Sequence, residues 1–351
     1  MKNFSNRMDL LSTSMVTVQR SNKILHAINL DATIEQDEFE SVSEYYIYWA
    51  ILDGLLFIII VVGNILTILA VRLTRKLRQV SSNLFVLNLA ISDLMVGFTL
   101  IYHLAFYMYK SLGEHKPTCI LRFVIATLAC SLSLYSLMTI AIDRYIGVMH
   151  PLKYAQHVTR VNVIIIIVVG WLNAIAISTV PIFWNCFDEV HTCEFQTILP
   201  RDYATMILCP LVCLIWTSLF FLYWRIWRAA ESHARRLRES GFDNPHLHDC
   251  KGSKAVLSIL GCFSICWLPY LIIACTRLFI LKSTGTLYKA LFSLAMANSG
   301  MNPIIYAWKN SQFRKAFRNL LRFKSPNSNT FNASLNDYLK KQRKLTERES
   351  G

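Results

Sequence analysis

Few side chains in this chain could do chemistry in an apolar setting, and they are easy to find. Asp93 sits in the middle of an apolar run, in Asn88-Leu89-Ala90-Ile91-Ser92-Asp93, Asp143 closes another run in Asp143-Arg144-Tyr145, and Asp53 lies near the outer end of the first. A charged group at bilayer depth costs about 2.5–3.5 kcal/mol on insertion scales, so each carboxylate needs a compensating role. At mid-depth it holds a cation, takes a proton or is satisfied by hydrogen bonds. For Asp93 that leaves a cation site or a hydrogen-bonded structural acid. Of the ten cysteines, Cys130, Cys209, Cys213, Cys262, Cys266 and Cys275 lie in apolar runs, where a thiol is an ordinary small hydrophobe. Cys119, Cys186 and Cys193 lie at run ends, which predicts one bridge with one candidate left over. The sequence holds no His-Glu-x-x-His, no Gly-x-Ser-x-Gly, no inverted repeat and no charged ring. A multi-pass channel or transporter is the competing class.

The elements that must position these groups follow from composition. Apolar residues make up 54% of the 351 positions and charged residues only 17%, against about 25% in an ordinary soluble domain. Mean hydropathy is +0.38. Unbroken apolar stretches run over 47–71, 84–108, 120–142, 161–184, 204–226, 255–278 and 287–308, each long enough to span a bilayer as a helix. The loops after the first, third and fifth stretches carry fourteen lysines and arginines and the other three carry seven. The basic side faces the cytoplasm, which puts the N-terminus outside. The net charge of +14 then marks a membrane face rather than a nucleic-acid grip. This gives an all-α membrane protein: residues 1–46 as an extracellular leader, 47–308 as a seven-helix bundle, 309–323 as a membrane-surface helix and 324–351 as a disordered cytoplasmic tail. In the surface helix Phe313, Phe317, Leu320 and Leu321 take one face and Arg314, Lys315, Arg318 and Arg322 the other. The sequon at Asn3 lies on the side where glycans are added.

The chain resembles the rhodopsin-like (class A) G-protein-coupled receptors over nearly all of residues 46–323. The resemblance rests on Gly63-Asn64, on Asn88 with Asp93, on Cys119 followed by Asp143-Arg144-Tyr145, on Trp171, on Cys266-Trp267-Leu268-Pro269 and on Asn302-Pro303-Ile304-Ile305-Tyr306, in matching order and spacing. It implies a receptor that turns binding of an extracellular small ligand into activation of a heterotrimeric G protein, with no catalytic residues. By the resemblance Pro269 and Pro303 loosen their helices so that the sixth span swings outward. Trp267 is the bulky group a ligand displaces, or else plain core packing. Arg144 pairs with Asp143 and, across the bundle, with Asp249, or else Asp249 is a solvated loop charge. Tyr145 and Tyr306 complete the switch set. A sodium pocket maps onto Asp93, Ser133, Trp267, Asn298, Ser299 and Asn302, an oxygen-rich set suited to a hard cation; no other cofactor is implied. Cys119 bridges to Cys193 in preference to Cys186, because Cys193-Glu194-Phe195 resembles the Cys-x-Phe of adenosine receptors.

The amine branch of the family carries a carboxylate eighteen residues before the Arg of Asp-Arg-Tyr, and here that position is Ala126. This speaks against a biogenic amine, since nothing replaces the counter-ion. Met296 stands where opsins need a Schiff-base lysine. The resemblance is nearest the adenosine, cannabinoid and melanocortin branch. Asp53 and Phe195 point to adenosine, while Ala274, Met296 and Gln196 stand where its hydrogen-bonding residues would be. The implied pocket of Asp53, Ala126, Thr127, Cys130, Phe195, Trp267, Ile273, Ala274 and Met296 is largely apolar and suits a lipid-like or nucleoside-like ligand. In the fifth span the family's tyrosine is Tyr223 with Ile215 in place of its proline; the other register uses Pro210 and Ser218.

Overall fold

The computed structural model describes residues 47–109, 111–190, 193, 198–239, 247–279 and 285–324. The leader at 1–46, with Asn3, and most of the tail lie outside the described residues, as does Phe195. Eight helices carry the architecture. They are α1 (Ile47–Leu73), α2 (Asn83–Met108), α3 (Lys116–Met149), α4 (Arg160–Phe183), α5 (Cys209–Glu239), α6 (Leu247–Phe279), α7 (Gly285–Lys309) and α8 (Ser311–Leu321). The bundle is described from Asp53 onward.

Each helix runs beyond its apolar stretch where polar or basic residues continue the helical turn outside the hydrocarbon. α5, for example, reaches Glu239 through a basic segment. Before α5 the chain makes one turn at Arg201–Tyr203 and a π-turn at Ala204–Leu208, so Pro210 enters at the second position of α5. The helical backbone is continuous from Arg201 through this π-turn into α5, so Pro210 lies within a longer helical run and withholds one backbone donor there. Ile215 and Tyr223 both pack against the core. The inner face of α7 carries the buried polar residues Asn298, Ser299 and Asn302.

The bundle buries a set of polar residues within its apolar core and turns further apolar residues outward. Asn64, Thr67, Asn88, Ser92, Ser133, Ser136, Asn298, Ser299 and Asn302 are buried, whereas Ile58, Ile59, Val62, Ile164, Ile165, Val168 and Leu172 are exposed. In water that pattern would be costly; in lipid it is required, because the tails solvate leucine but satisfy no amide. Small residues set the spacing of the helices. An added Cβ at Gly63 would come within 2.9 Å of the Pro303 ring, and one at Gly170 within 2.1 Å of the Tyr135 ring. Tyr135 lies across α4 at that point and donates from its hydroxyl to the Ile166 carbonyl, 2.9 Å away. Gly170→Ala is therefore expected to lower stability by about 1–3 kcal/mol through overpacking. A Tyr135→Leu background should return most of that loss. Thermal unfolding of the four variants in the cycle measures it, and equal losses in both backgrounds would refute the close-approach argument.

α8 starts at Asn310, whose side-chain oxygen accepts from the Gln312 and Phe313 amides at 2.9 and 3.4 Å. Phe313 and Phe317 are buried, and Phe313 stacks on Tyr306 with centroids 5.2 Å apart. Leu321 stays 66% exposed. The helix is two residues shorter at each end than the 309–323 expected from the sequence.

Candidate functional site

Asp93, on α2, is fully buried. Its two oxygens are held separately: Ser133 of α3 donates to Oδ1 at 2.9 Å and Asn302 of α7 donates from Nδ2 to Oδ2 at 2.7 Å. Asn298 and Asn302 are one helical turn apart on α7, and Ser299 lies on the same side, so three polar residues face the carboxylate from one helix. Both polar atoms of the Asn298 amide and Oδ1 of Asn302 are buried with no protein partner. A buried polar atom left unpaired costs about 1–3 kcal/mol, so this group calls for something polar between its members. One carboxylate with hydroxyl and amide oxygens fits a monovalent cation. Among the described residues no cluster of three His, Cys, Asp or Glu side chains suits a multivalent metal. Of the sequence set, Ser133 and Asn302 touch Asp93 directly, and Asn298 and Ser299 are buried within a turn of Asn302 on α7. Trp267, buried in α6, contacts Phe263 and Tyr270.

A second polar chain escaped sequence reading. Asn88 donates to Ser136 Oγ at 2.7 Å and accepts from Trp171 Nε1 at 2.9 Å, tying α2, α3 and α4 together. Asn88 and Trp171 were each recognisable as motif residues, but nothing in their spacing says that they meet. Asn64 donates to the Ser299 carbonyl at 3.0 Å and ties α1 to α7.

At one end of the bundle a disulfide joins Cys119, at the start of α3, to Cys193, with Cα atoms 5.8 Å apart. Cys186 is a free, half-buried thiol. Below this end Ala126, Thr127, Cys130, Ile273 and Ala274 are half-buried and Met296 is buried. Asp53 is 4% exposed and accepts from Ser293 Oγ at 3.0 Å, one turn before Met296 on α7. Its carboxylate therefore serves the α1–α7 seam. The sequence reading of a largely apolar pocket missed an aromatic wall with polar tips. Tyr270 and Tyr288 bring their hydroxyls to 2.9 Å, Phe292 packs edge-on against Tyr270, and His103 stacks on Phe292 at 5.3 Å. The His103 ring nitrogen Nδ1 lies 3.0 Å from the Thr99 carbonyl. The only early signal was a set of polar aromatics inside apolar runs. Phe195 would sit nearby by sequence, but it lies outside the described residues.

The opposite end carries Arg144. Its Nε lies 3.3 Å from Asp143 Oδ2 and its Nη2 is 3.4 Å from Ser82 Oγ. Asp143 also accepts from the Tyr154 hydroxyl at 2.9 Å, on the short helix Pro151–His157 that follows α3. Burial, then the Asp143 carboxylate, holds the Tyr154 phenol above its ordinary value, so it remains a donor. Arg225 of α5 reaches the Tyr145 hydroxyl at 3.3 Å. Asp249 is in α6, but its side chain lies outside the described residues. Pro269 and Pro303 fall inside α6 and α7, and Tyr306 is buried with its hydroxyl unpartnered. The structure therefore separates three groups along the bundle: an aromatic cluster toward the disulfide end, a polar core at Asp93, and a charged cluster at Arg144.

Comparison with known proteins gives this arrangement a context. The family described as "7 transmembrane receptor (rhodopsin family)" matches residues 63–306. The histamine H2 receptor of Canis lupus familiaris is 31% identical over 300 residues, covering 80% of this chain and 81% of that protein. The adenosine receptor A3 of Ovis aries is 30% identical over 293 residues, 79% and 89% respectively. The 5-hydroxytryptamine receptor 4 of Cavia porcellus is 27% identical over 321 residues, 82% of each.

Proposed function

This chain belongs to the rhodopsin family of seven-transmembrane receptors, and from that premise we propose that it responds to a neutral small ligand, nucleoside-like or lipid-like, rather than to a biogenic amine. That it is a multi-pass membrane receptor of the G-protein-coupled kind follows from the family, which decides against the channel or transporter that composition left open. The ligand is the finer matter. Two of the relatives named above carry amine names, so the contrary reading has weight. The observation that carries ours is Ala126, a methyl group on the half-buried wall of α3 where an amine would need a carboxylate. The nearest buried acid toward the disulfide end is Asp53, already engaged by Ser293. A protonated amine there would lose its hydration without gaining a counter-ion. The tyrosine hydroxyls and Trp267 offer stacking and neutral hydrogen bonds instead.

In this reading the disulfide end and the leader are extracellular, following the basic bias of the alternate loops. The ligand sits among Ala126, Thr127, Cys130, Trp267, Ile273, Ala274 and Met296, with Phe195 above. Its pressure on Trp267 turns α6 about Pro269 and opens the Arg144 end to a G-protein helix, with Pro303 and Tyr306 letting α7 follow. Asp249 is the proposed closed-state partner of Arg144. Asp93, Ser133, Asn298, Ser299 and Asn302 would hold a sodium ion, which supplies a positive charge to the buried carboxylate and thereby favours the closed bundle. The bundle at 47–308, the surface helix at 309–323 and the tail at 324–351 divide these tasks.

Nucleotide exchange on purified G protein, measured with the receptor in lipid bilayers, tests the ligand class. Adenosine and a panel of neutral lipids are the probes for our reading, and histamine and serotonin for the contrary one. We expect a neutral probe to raise exchange and the two amines to leave it flat up to about 1 mM. Stimulation by an amine in the micromolar range would overturn the neutral-ligand reading. An Ala126→Asp variant should make amine binding easier in either case.

A further inference from the structure

Two thiols that no step above uses face each other across the α5–α6 seam. Cys209 Sγ and Cys275 Sγ are 3.4 Å apart, in van der Waals contact, and both residues are half-buried. They are separated by 66 positions in the chain, so this juxtaposition is made by the packing of α5 on α6. The nearest other cysteine, Cys213, is one turn further along α5 and exposed. Both thiols lie toward the disulfide end: Cys209 opens α5, and Cys275 stands four residues before the end of α6. A disulfide requires sulfurs about 2.05 Å apart, so closure takes an approach of about 1.4 Å.

We propose that Cys209 and Cys275 form a reversible redox pair, closed by a peroxide into a covalent link between α5 and α6. One thiol attacks the peroxide O–O bond, giving a sulfenic acid and one water. The second thiol then displaces hydroxide from that sulfur, and with its proton a second water leaves. Two electrons pass from the two sulfurs to the two peroxide oxygens. A peroxide suits the site because it is small and uncharged and can reach a half-buried thiol. An added dithiol reverses the step by exchange, yielding two protein thiols and its own cyclic disulfide.

The position gives the link a defined effect. Cys275 lies six residues past Pro269, on the far side of the proline from the Leu247 end of α6. The link therefore fixes the α5–α6 separation beyond Pro269, on the side of the aromatic cluster, and leaves the other segment of α6 to move about Pro269. A bond within one helix, between Cys209 and Cys213, would constrain nothing of the kind.

The test uses the full-length receptor in lipid nanodiscs, treated with hydrogen peroxide, alkylated and mapped without reduction. We expect a linked peptide pair containing Cys209 and Cys275, and a melting temperature about 5 °C or more above that of equally treated Cys209→Ser and Cys275→Ser variants, because the link closes a long loop. Cys213→Ser should keep both signals. Recovery of both thiols unlinked from the wild type, or of Cys209 linked to Cys213, overturns the proposal without needing any variant to fold. A Cys209–Cys275 link with no change in melting overturns its role as a constraint on the bundle.

Discussion

Replacing Arg144 with alanine is expected to cut receptor-driven nucleotide exchange at least about tenfold at matched surface expression. The guanidinium is held by Asp143 at 3.3 Å and by Ser82 at 3.4 Å, yet a third of its side chain remains exposed. It is held lightly enough to be handed over. A charge-assisted hydrogen bond is worth about 1.5–3 kcal/mol, which corresponds to roughly ten- to a hundredfold in an equilibrium. Arg144→Lys should recover only part of the activity, because an ammonium keeps the charge but loses the planar fork of donors. The partners should behave oppositely. Tyr154→Phe removes one of the two groups that steady Asp143, and Asp249→Ala removes the proposed closed-state partner, so both should raise basal exchange. If Arg144→Ala signals normally while its surface level is unchanged, the charged cluster is a structural clamp and coupling resides elsewhere.

Seven helices were legible because hydrocarbon solvates only apolar side chains, and the runs that obey that rule are long. The outward faces follow directly: Ile58, Ile59 and Val62 are exposed as lipid-facing residues should be. Asp93 was legible as an anomaly, and its companions Ser133, Asn298 and Asn302 were found through the family resemblance rather than from their chemistry alone. What could not be read was which inward residues meet. The helical period fixes the rotation of each helix toward or away from lipid, but not its height against a neighbour. Asn88 reaching Ser136 and Trp171, Tyr270 reaching Tyr288, and Cys209 reaching Cys275 all depend on that height. The height is set in part by single glycines. Gly63 and Gly170 leave room for the Pro303 and Tyr135 rings, where any Cβ would force a shift. Six of the cysteines read as inert filler for the same reason: a thiol in an apolar run carries no mark of the second thiol facing it.

Sodium is expected to lower basal nucleotide exchange by about tenfold relative to a bulky inert cation at equal ionic strength, and Asp93→Asn is expected to abolish the difference. Equal ionic strength holds general screening constant, so the contrast isolates specific binding. Ser133 and Asn302 already donate to the carboxylate, so two more hydrogen bonds do not explain why both polar atoms of Asn298 and Oδ1 of Asn302 stand buried and unpaired. A cation beside Asp93 would be coordinated by such oxygens and would neutralise a charge that is otherwise expensive at that depth. An ion shifts a conformational equilibrium only by its differential affinity for the two states. If turning α6 and α7 pulls Asn298 and Asn302 away from Asp93, the open state loses the oxygen cage and sodium favours the closed one. Coupling free energies of this kind run about 1–3 kcal/mol, which brackets the tenfold effect. The asparagine variant keeps the size and still accepts from Ser133, while its NH2 replaces an acceptor of the Asn302 Nδ2 donor, so Asn302 must turn its amide over to present its unpaired Oδ1; with that flip the variant removes the charge. Sodium should also raise the melting temperature of the wild type but not of Asp93→Asn, since a ligand that binds only the folded receptor stabilises it. A wild type insensitive to sodium in both measurements, or an Asp93→Asn protein that keeps the full response, would make Asp93 a structural acid pinned between α3 and α7.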